Sequence, residues 1–224
     1  MSLLTCACFE NYVVVAADSK AIKIEDGCVI PVQGDHCKFW TLADGMIALG
    51  STGSFLMSHM LYRLSHEMAE RYRDNPGGLF AALEYAIPEF VQILNPVVDK
   101  FIDEFLDDTH RDLGKTIPLL CGYDRSQQRI RGVYWKDLKP EYCIDSIVAI
   151  GYPEAAEVVS ELISEELGEV FTPGSVAKTM KDSINVTAQK FPDHIGGPIR
   201  SHSIMSPRFK EMLKQFNEVS ILEV

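Results

Sequence analysis

No apolar run in this 224-residue chain approaches the roughly 20 residues that a bilayer-spanning helix needs. The longest near the start, Val13 to Ala17, has the length of a strand. The N-terminus carries no basic segment followed by a long apolar stretch, so no secretory signal is visible and a cytoplasmic protein is expected. Basic residues are also scarce. Lys and Arg number 21 against 32 Asp and Glu, a net charge of −11, which repels phosphate backbones and anionic lipid surfaces. Nucleic acid and membranes are therefore not expected partners. The six cysteines (Cys6, Cys8, Cys28, Cys37, Cys121 and Cys143) form no C-x-x-C pair, which removes the commonest zinc and redox patterns. Most lie in apolar stretches and read as free, buried thiols. Cys6-Ala7-Cys8 puts two sulfurs on one face of a strand and is read as packing. G-x-S-x-G, a Walker loop, G-x-G-x-x-G and H-E-x-x-H are all missing, so the commonest serine-hydrolase, nucleotide and metalloprotease signatures are excluded.

What is present is the balance of an ordinary globular protein, 46% hydrophobic and 24% charged, in a length that fits a single domain over residues 1–224. Short apolar runs predict strands at Leu3 to Phe9 and Tyr12 to Ala17, forming a hairpin that ends at Asp18. After a polar excursion through Lys20 to Asp35, Lys38 to Leu42 and Met46 to Leu49 read as a second hairpin around Asp44-Gly45. The spacing then turns helical, with Leu56, Met60, Leu64, Met68 and Tyr72 recurring every four residues. Asn75 to Gly78 breaks this helix. A second helix is predicted from Leu79, kinked or interrupted at Pro88 and Pro96. Strands are expected again at Ile117 to Tyr123, Arg129 to Trp135 and Cys143 to Ile150. Helices follow at Ala155 to Leu167 and Val176 to Lys190, then a strand at Ile199 to Ile204 and a short helix at Pro207 to Asn217. Strands, two helices, strands, two helices and a strand imply an α+β class, with antiparallel sheets between helix pairs.

Candidate functional residues cluster near the start. Ser2 directly precedes a strand, Asp18 ends the next one, and Lys38 opens the third. The run Tyr12-Val13-Val14-Val15-Ala16-Ala17-Asp18-Ser19-Lys20-Ala21 resembles the second-strand signature of proteasome β-type subunits, members of the N-terminal-nucleophile (Ntn) hydrolases. The resemblance continues through Lys38, Gly50-Ser51, Cys121-Gly122-Tyr123-Asp124 and Asp193-His194-Ile195-Gly196-Gly197, covering nearly the whole chain in matching order. It implies the four-layer αββα sandwich of that family.

Counting back without gaps from Asp18, the family's nucleophile position falls on Ser2, which removal of Met1 exposes. The family usually has threonine there, so a hydroxyl is retained. An N-terminal residue suits this chemistry because its α-amine, with a pKa of about 7.7–8.0 in model peptides, can serve as the general base that a lone hydroxyl lacks. By resemblance, Lys38 holds positive charge beside the Ser2 hydroxyl and Asp18 fixes Lys38. The Gly50 backbone N–H meets the developing oxyanion, a donor worth roughly 3–4 kcal/mol, and Asp193 supports the N-terminal group. The pattern departs from the family where Gly151-Tyr152 replaces a supporting serine, and again before Gly196-Gly197.

The implied activity is cleavage of peptide bonds through an acyl ester on Ser2, on peptide or unfolded-protein substrates and with no metal or organic cofactor. The implied assembly is a homo-oligomeric ring, with an unfolding ATPase as a candidate partner. Two alternatives stand beside it: a noncatalytic structural subunit of such a ring, and a nonproteolytic amidase acting on small amides.

Overall fold

The computed structural model describes residues 3–25, 28–32, 34, 36–105, 115–167 and 172–222. The chain is α+β. One antiparallel sheet has the order β10-β1-β2-β11 and is built from β1 (Leu3–Cys8), β2 (Tyr12–Ala17), β10 (Ser146–Gly151) and β11 (Arg200–Met205). The other runs β5 (Phe39–Leu42), β6 (Ile47–Thr52), β7 (Ile117–Asp124), β8 (Arg129–Lys136) and β9 (Lys139–Cys143) in sequence order. A separate hairpin pairs β3 (Ala21–Glu25) with β4 (Cys28–Val32).

Three apolar clusters organise these elements. Leu4, Cys6 and Cys8 of β1, with Val13, Val15 and Ala17 of β2, meet Phe39, Ala48, Leu119 and Cys121 of the five-stranded sheet. The alternate residues Leu3, Ala7, Val14 and Ala16 pack on α3 (Pro153–Glu166) and α4 (Pro173–Lys190). The far side of the five-stranded sheet, including Leu49, Leu120 and Val133, is covered by α1 (Phe55–Arg71) and α2 (Leu79–Phe105). Both faces of β1 and β2 are thus buried, and every residue of either strand is inaccessible. Buried on both sides, a strand reads as an unbroken apolar run rather than an alternating one, as Tyr12 to Ala17 does.

Four expectations change. Residues 20–35 are no mere excursion: two five-residue strands form there, and their length and mixed polarity hide them from hydropathy. The run Cys143 to Ile150 is two strands, not one, because the chain turns at Asp145 (φ 42°) and passes from one sheet to the other. Only Cys143 of β9 reaches the inter-sheet core, which Val148 and Ile150 of β10 then join. Pro88 and Pro96 do not interrupt α2. Each removes one backbone donor, while Leu83, Ile87, Val91 and Val98 remain seated on the sheet. The terminal helix α5 (Pro207–Leu222) is longer than predicted.

One buried ion cluster fastens α2 to the five-stranded sheet. Arg131 donates to Asp124 Oδ2 (2.9 Å) and to Glu84 Oε1 (2.8 Å) and lies over the Phe80 ring. Burial pushes the Asp124 carboxyl up, but hydrogen bonds from Ser126 and Arg131 outweigh it, and the net direction is down. A carboxyl held below its unfolded pKa contributes stability that is present above the unfolded value of about 3.9 and lost as pH falls through the depressed folded one. Arg131→Leu strands a fully buried carboxylate and should cost about 3 to 5 kcal/mol at neutral pH in urea unfolding. Asp124→Asn should flatten the acid limb of the stability curve, and an unchanged limb would show that the carboxylate is not what titrates.

Candidate active site

Asp18 leaves β2 at its C-terminal end, buried, and its carboxylate accepts three backbone N–H groups. Oδ1 receives Leu3 N at 2.7 Å, and Oδ2 receives Lys20 N at 3.1 Å and Gly196 N at 3.3 Å. One side chain therefore ties together the start of β1, the exit from β2 and the glycine turn before β11. Backbone bonds repeat the connection: Asp18 N to Leu3 O, Ser19 N to Gly196 O, and His36 N to Ser19 O. Lys38, the residue before β5, donates from Nζ to the Lys20 carbonyl at 2.7 Å.

The two charges act on each other. Burial pushes the Asp18 carboxyl above its ordinary value, against the opposing pull of Lys38 and the three N–H donors. Burial likewise lowers the Lys38 ammonium, against the pull of Asp18. Each charge favours the other in surroundings that favour neither, so Asp18 is shifted up and Lys38 down.

Gly50 supports the pair by its lack of a side chain. A Cβ there would meet Leu4 Cδ2 at 2.8 Å, the Lys38 carbonyl oxygen at 2.9 Å and Phe39 Cβ at 3.0 Å. Its N–H is another matter. Ser51 N donates to Lys38 O at 3.0 Å, which makes Phe39 and Gly50 a non-hydrogen-bonded pair. Strand alternation then directs the Gly50 N–H toward its opposite neighbour, Leu119 of β7. The oxyanion donor expected at Gly50 is therefore occupied by the sheet ladder.

Asp193 lies exposed in the turn between α4 and β11. Its segment reaches Asp18 through the Gly196 N–H rather than through the Asp193 carboxylate, whose charge acts on His194. His194 packs against Tyr152, with ring centroids 4.5 Å apart, and its buried Nδ1 has no hydrogen-bond partner. Tyr152 follows Gly151, which is paired with Leu3. Ser2, the expected nucleophile, lies outside the described residues.

Beside Lys38 opens a cleft of about 320 Å³ whose lining includes Ala21, Ile22, Trp40, Phe55 and Tyr62. Of its polar members, Ser51 and Ser58 share a hydrogen bond of 2.7 Å and the Trp40 indole N–H donates to Ser65 Oγ at 2.7 Å, while the buried His36 Nε2 has no hydrogen-bond partner. Among the described residues no group of three or more His, Cys, Asp or Glu side chains is placed to hold a metal ion, and no helix is long and apolar enough to cross a membrane.

Asp18, Lys38 and Gly50, the positions that the family resemblance singled out, lie close together: the Lys38 charge acts on Asp18, and Gly50 packs against the Lys38 carbonyl. Lys20, Gly196, Tyr152 and His194 fell inside the quoted motifs but were given no role of their own. Only Lys20 had a local signal, since an Asp commonly accepts the N–H two residues onward. No known family model and no curated protein matches this chain.

Two outcomes test the cluster. Lys38→Met removes the charge that lowers Asp18, so the folded pKa of Asp18 climbs further above its unfolded value. A carboxyl raised in this way is tolerated below the unfolded pKa and becomes a burden as pH rises through the folded one. The variant should lose more stability at about pH 7 than at about pH 4 in urea midpoints, and equal losses would show the pair to be uncoupled. Gly197 sits at φ 75° with a hypothetical Cβ 2.6 Å from Ser19 Oγ. Gly197→Ala should cost about 1–3 kcal/mol, read from thermal unfolding, and should loosen the Asp18 anchor.

Proposed function

We propose that the chain is an N-terminal-nucleophile hydrolase of the proteasome β type, folded as a four-layer αββα sandwich and cleaving amide bonds through an ester on Ser2. The observation that carries this reading is the Asp18–Lys38 pair: the buried carboxylate holds the Leu3 N–H, one residue from Ser2, and sits against a lysine whose ammonium is partly destabilised. Three apolar clusters, one between the sheets and one under each helix pair, support the layered fold.

In the proposed reaction the freed α-amine of Ser2 takes the proton of its own hydroxyl. The oxygen attacks the substrate carbonyl, and the amine then protonates the departing nitrogen. Lys38 stabilises the developing charge at the serine oxygen. Water resolves the ester with the same amine as base. The oxyanion needs a donor other than the Gly50 N–H, given the ladder at β7. The cleft beside Lys38 offers Ile22, Trp40, Phe55 and Tyr62 to a large apolar side chain of a peptide or unfolded-protein substrate, with His36 and His59 on the same wall.

A noncatalytic ring subunit is the second reading. It is favoured by the committed Gly50 N–H and by Tyr85, Ile93 and Val97 of α2, which stand exposed as a helix face would in a subunit contact. A homo-oligomeric ring accommodates either reading, with an unfolding ATPase as the partner that would feed it.

Intact mass before and after treatment with a peptide vinyl sulfone separates the two. Loss of Met1 and a single adduct on Ser2, abolished by Lys38→Ala, is expected of the hydrolase. Retained Met1 with no adduct overturns the Ser2 mechanism in favour of the structural subunit. Active protein should prefer peptides with Phe, Tyr or Leu before the cut over those with Lys or Glu by roughly tenfold or more in kcat/KM.

A further inference from the structure

The hydrogen bonds in the wall of the cleft beside Lys38 leave one buried nitrogen unanswered. Ser58 Oγ donates to the Ser54 carbonyl at 3.1 Å, so the bond between Ser51 and Ser58 uses the Ser51 proton. Trp40 donates to Ser65, Cys37 Sγ to the Phe39 carbonyl at 2.6 Å, and Lys38 Nζ to the Lys20 carbonyl. Among the described lining residues, His36 Nε2 is the buried side-chain nitrogen or oxygen with no partner. Such an atom costs free energy until a ligand or water answers it. The backbone fixes where the imidazole stands: His36 N donates to Ser19 O at 3.0 Å and Ser19 N to Gly196 O at 3.2 Å, the same segments that Asp18 ties together. Two residues on, Lys38 lines the same cleft.

The rings around this nitrogen are set for another ring. Phe55 meets His36 edge to face, with centroids 5.5 Å apart and planes at 88°, and Trp40 meets Tyr62 at 5.5 Å and 77°. Edge-to-face and offset contacts are the arrangements that aromatic side chains prefer. Phe55 opens α1 and is 66% exposed. An exposed side chain changes rotamer within picoseconds to nanoseconds, so the Phe55 ring can turn aside and admit a polar group to Nε2. At about 320 Å³ the cleft is at the small end of ligand pockets and has room for one ring. We infer that this cleft, where it seats the residue before the cut as the proposed hydrolysis requires, selects tyrosine, with the phenol hydroxyl bonded to His36 Nε2.

Other side chains answer the wall less completely. A phenol hydroxyl both donates and accepts, so it pairs with either tautomer of the imidazole, whereas an indole only donates. Phenylalanine fills the same space and leaves Nε2 unmet. A carboxylate set among Ile22, Trp40 and Phe55 gains one imidazole in exchange for its water. Lys38 already bonds the Lys20 carbonyl and is favoured by the Asp18 charge. An ammonium entering the cleft stands beside the like charge of Lys38.

The test compares peptides that differ only in the residue before the cut, tyrosine against phenylalanine, on the full chain. Tyrosine should be favoured by about tenfold in kcat/KM. His36→Leu should bring the ratio close to one through a fall on the tyrosine peptide, a change in selectivity that general damage to the fold does not produce. His36→Gln keeps a hydrogen-bonding tip and should retain part of the preference. Equal rates in the unsubstituted chain, or a tyrosine preference that survives His36→Leu, overturns the inference. If His36→Leu does not fold, the unsubstituted ratio and the His36→Gln variant decide. A chain that cuts neither peptide has failed the hydrolase reading instead. The cleft is then tested by titrating N-acetyltyrosinamide and N-acetylphenylalaninamide while following the His36 imidazole signals by NMR. Tighter binding of the tyrosine amide, with those signals shifting, sustains the phenol site, and equal affinity or unshifted signals overturns it.

Discussion

A carboxylate buried at the end of a strand must have all its lone pairs answered from within the protein, and the arrangement of this molecule around Asp18 follows from that requirement. Three backbone N–H groups from segments far apart in the chain answer it. In doing so they fix where β1 begins, how the chain leaves β2 and where the turn before β11 must lie. Lys38 then has a defined place beside them, since its ammonium bonds the carbonyl of Lys20, whose N–H is itself held by Asp18.

Two buried charge clusters among the described residues differ in which effect prevails. Around Arg131 the hydrogen bonds prevail over burial, so Asp124 is drawn down and Arg131 up, and both groups keep their charges across the working range. Around Lys38 burial prevails, so Asp18 is raised and Lys38 lowered. The first arrangement is a fastener between α2 and the sheet. The second leaves both ions partly destabilised by burial, each favoured by the charge of the other.

Between these clusters lies the inter-sheet core, whose thiols occupy positions that larger apolar side chains would overfill. Gly132 is the reason: without a Cβ in the row between Cys121 and Cys143, the opposite sheet can press β1 into the gap. The same absence that permits close packing brings sulfur atoms from both sheets together.

From residue order alone came the α+β class, most strands and the four long helices, because apolar periodicity and turn residues are local signals, whereas the grouping of Asp18, Lys38 and Gly50 came only from the resemblance to a known family. The tertiary structure alone decided the rest. Which sheet receives β10, which neighbour takes the Gly50 N–H and which thiols face one another depend on strand pairing, and burial on both faces of β1 and β2 erases the period of two that could have announced it. The Gly196 N–H reaches Asp18 across 178 positions of sequence. No local pattern encodes such a contact, since it exists only once two strands and a turn have been brought to the same end of a sheet.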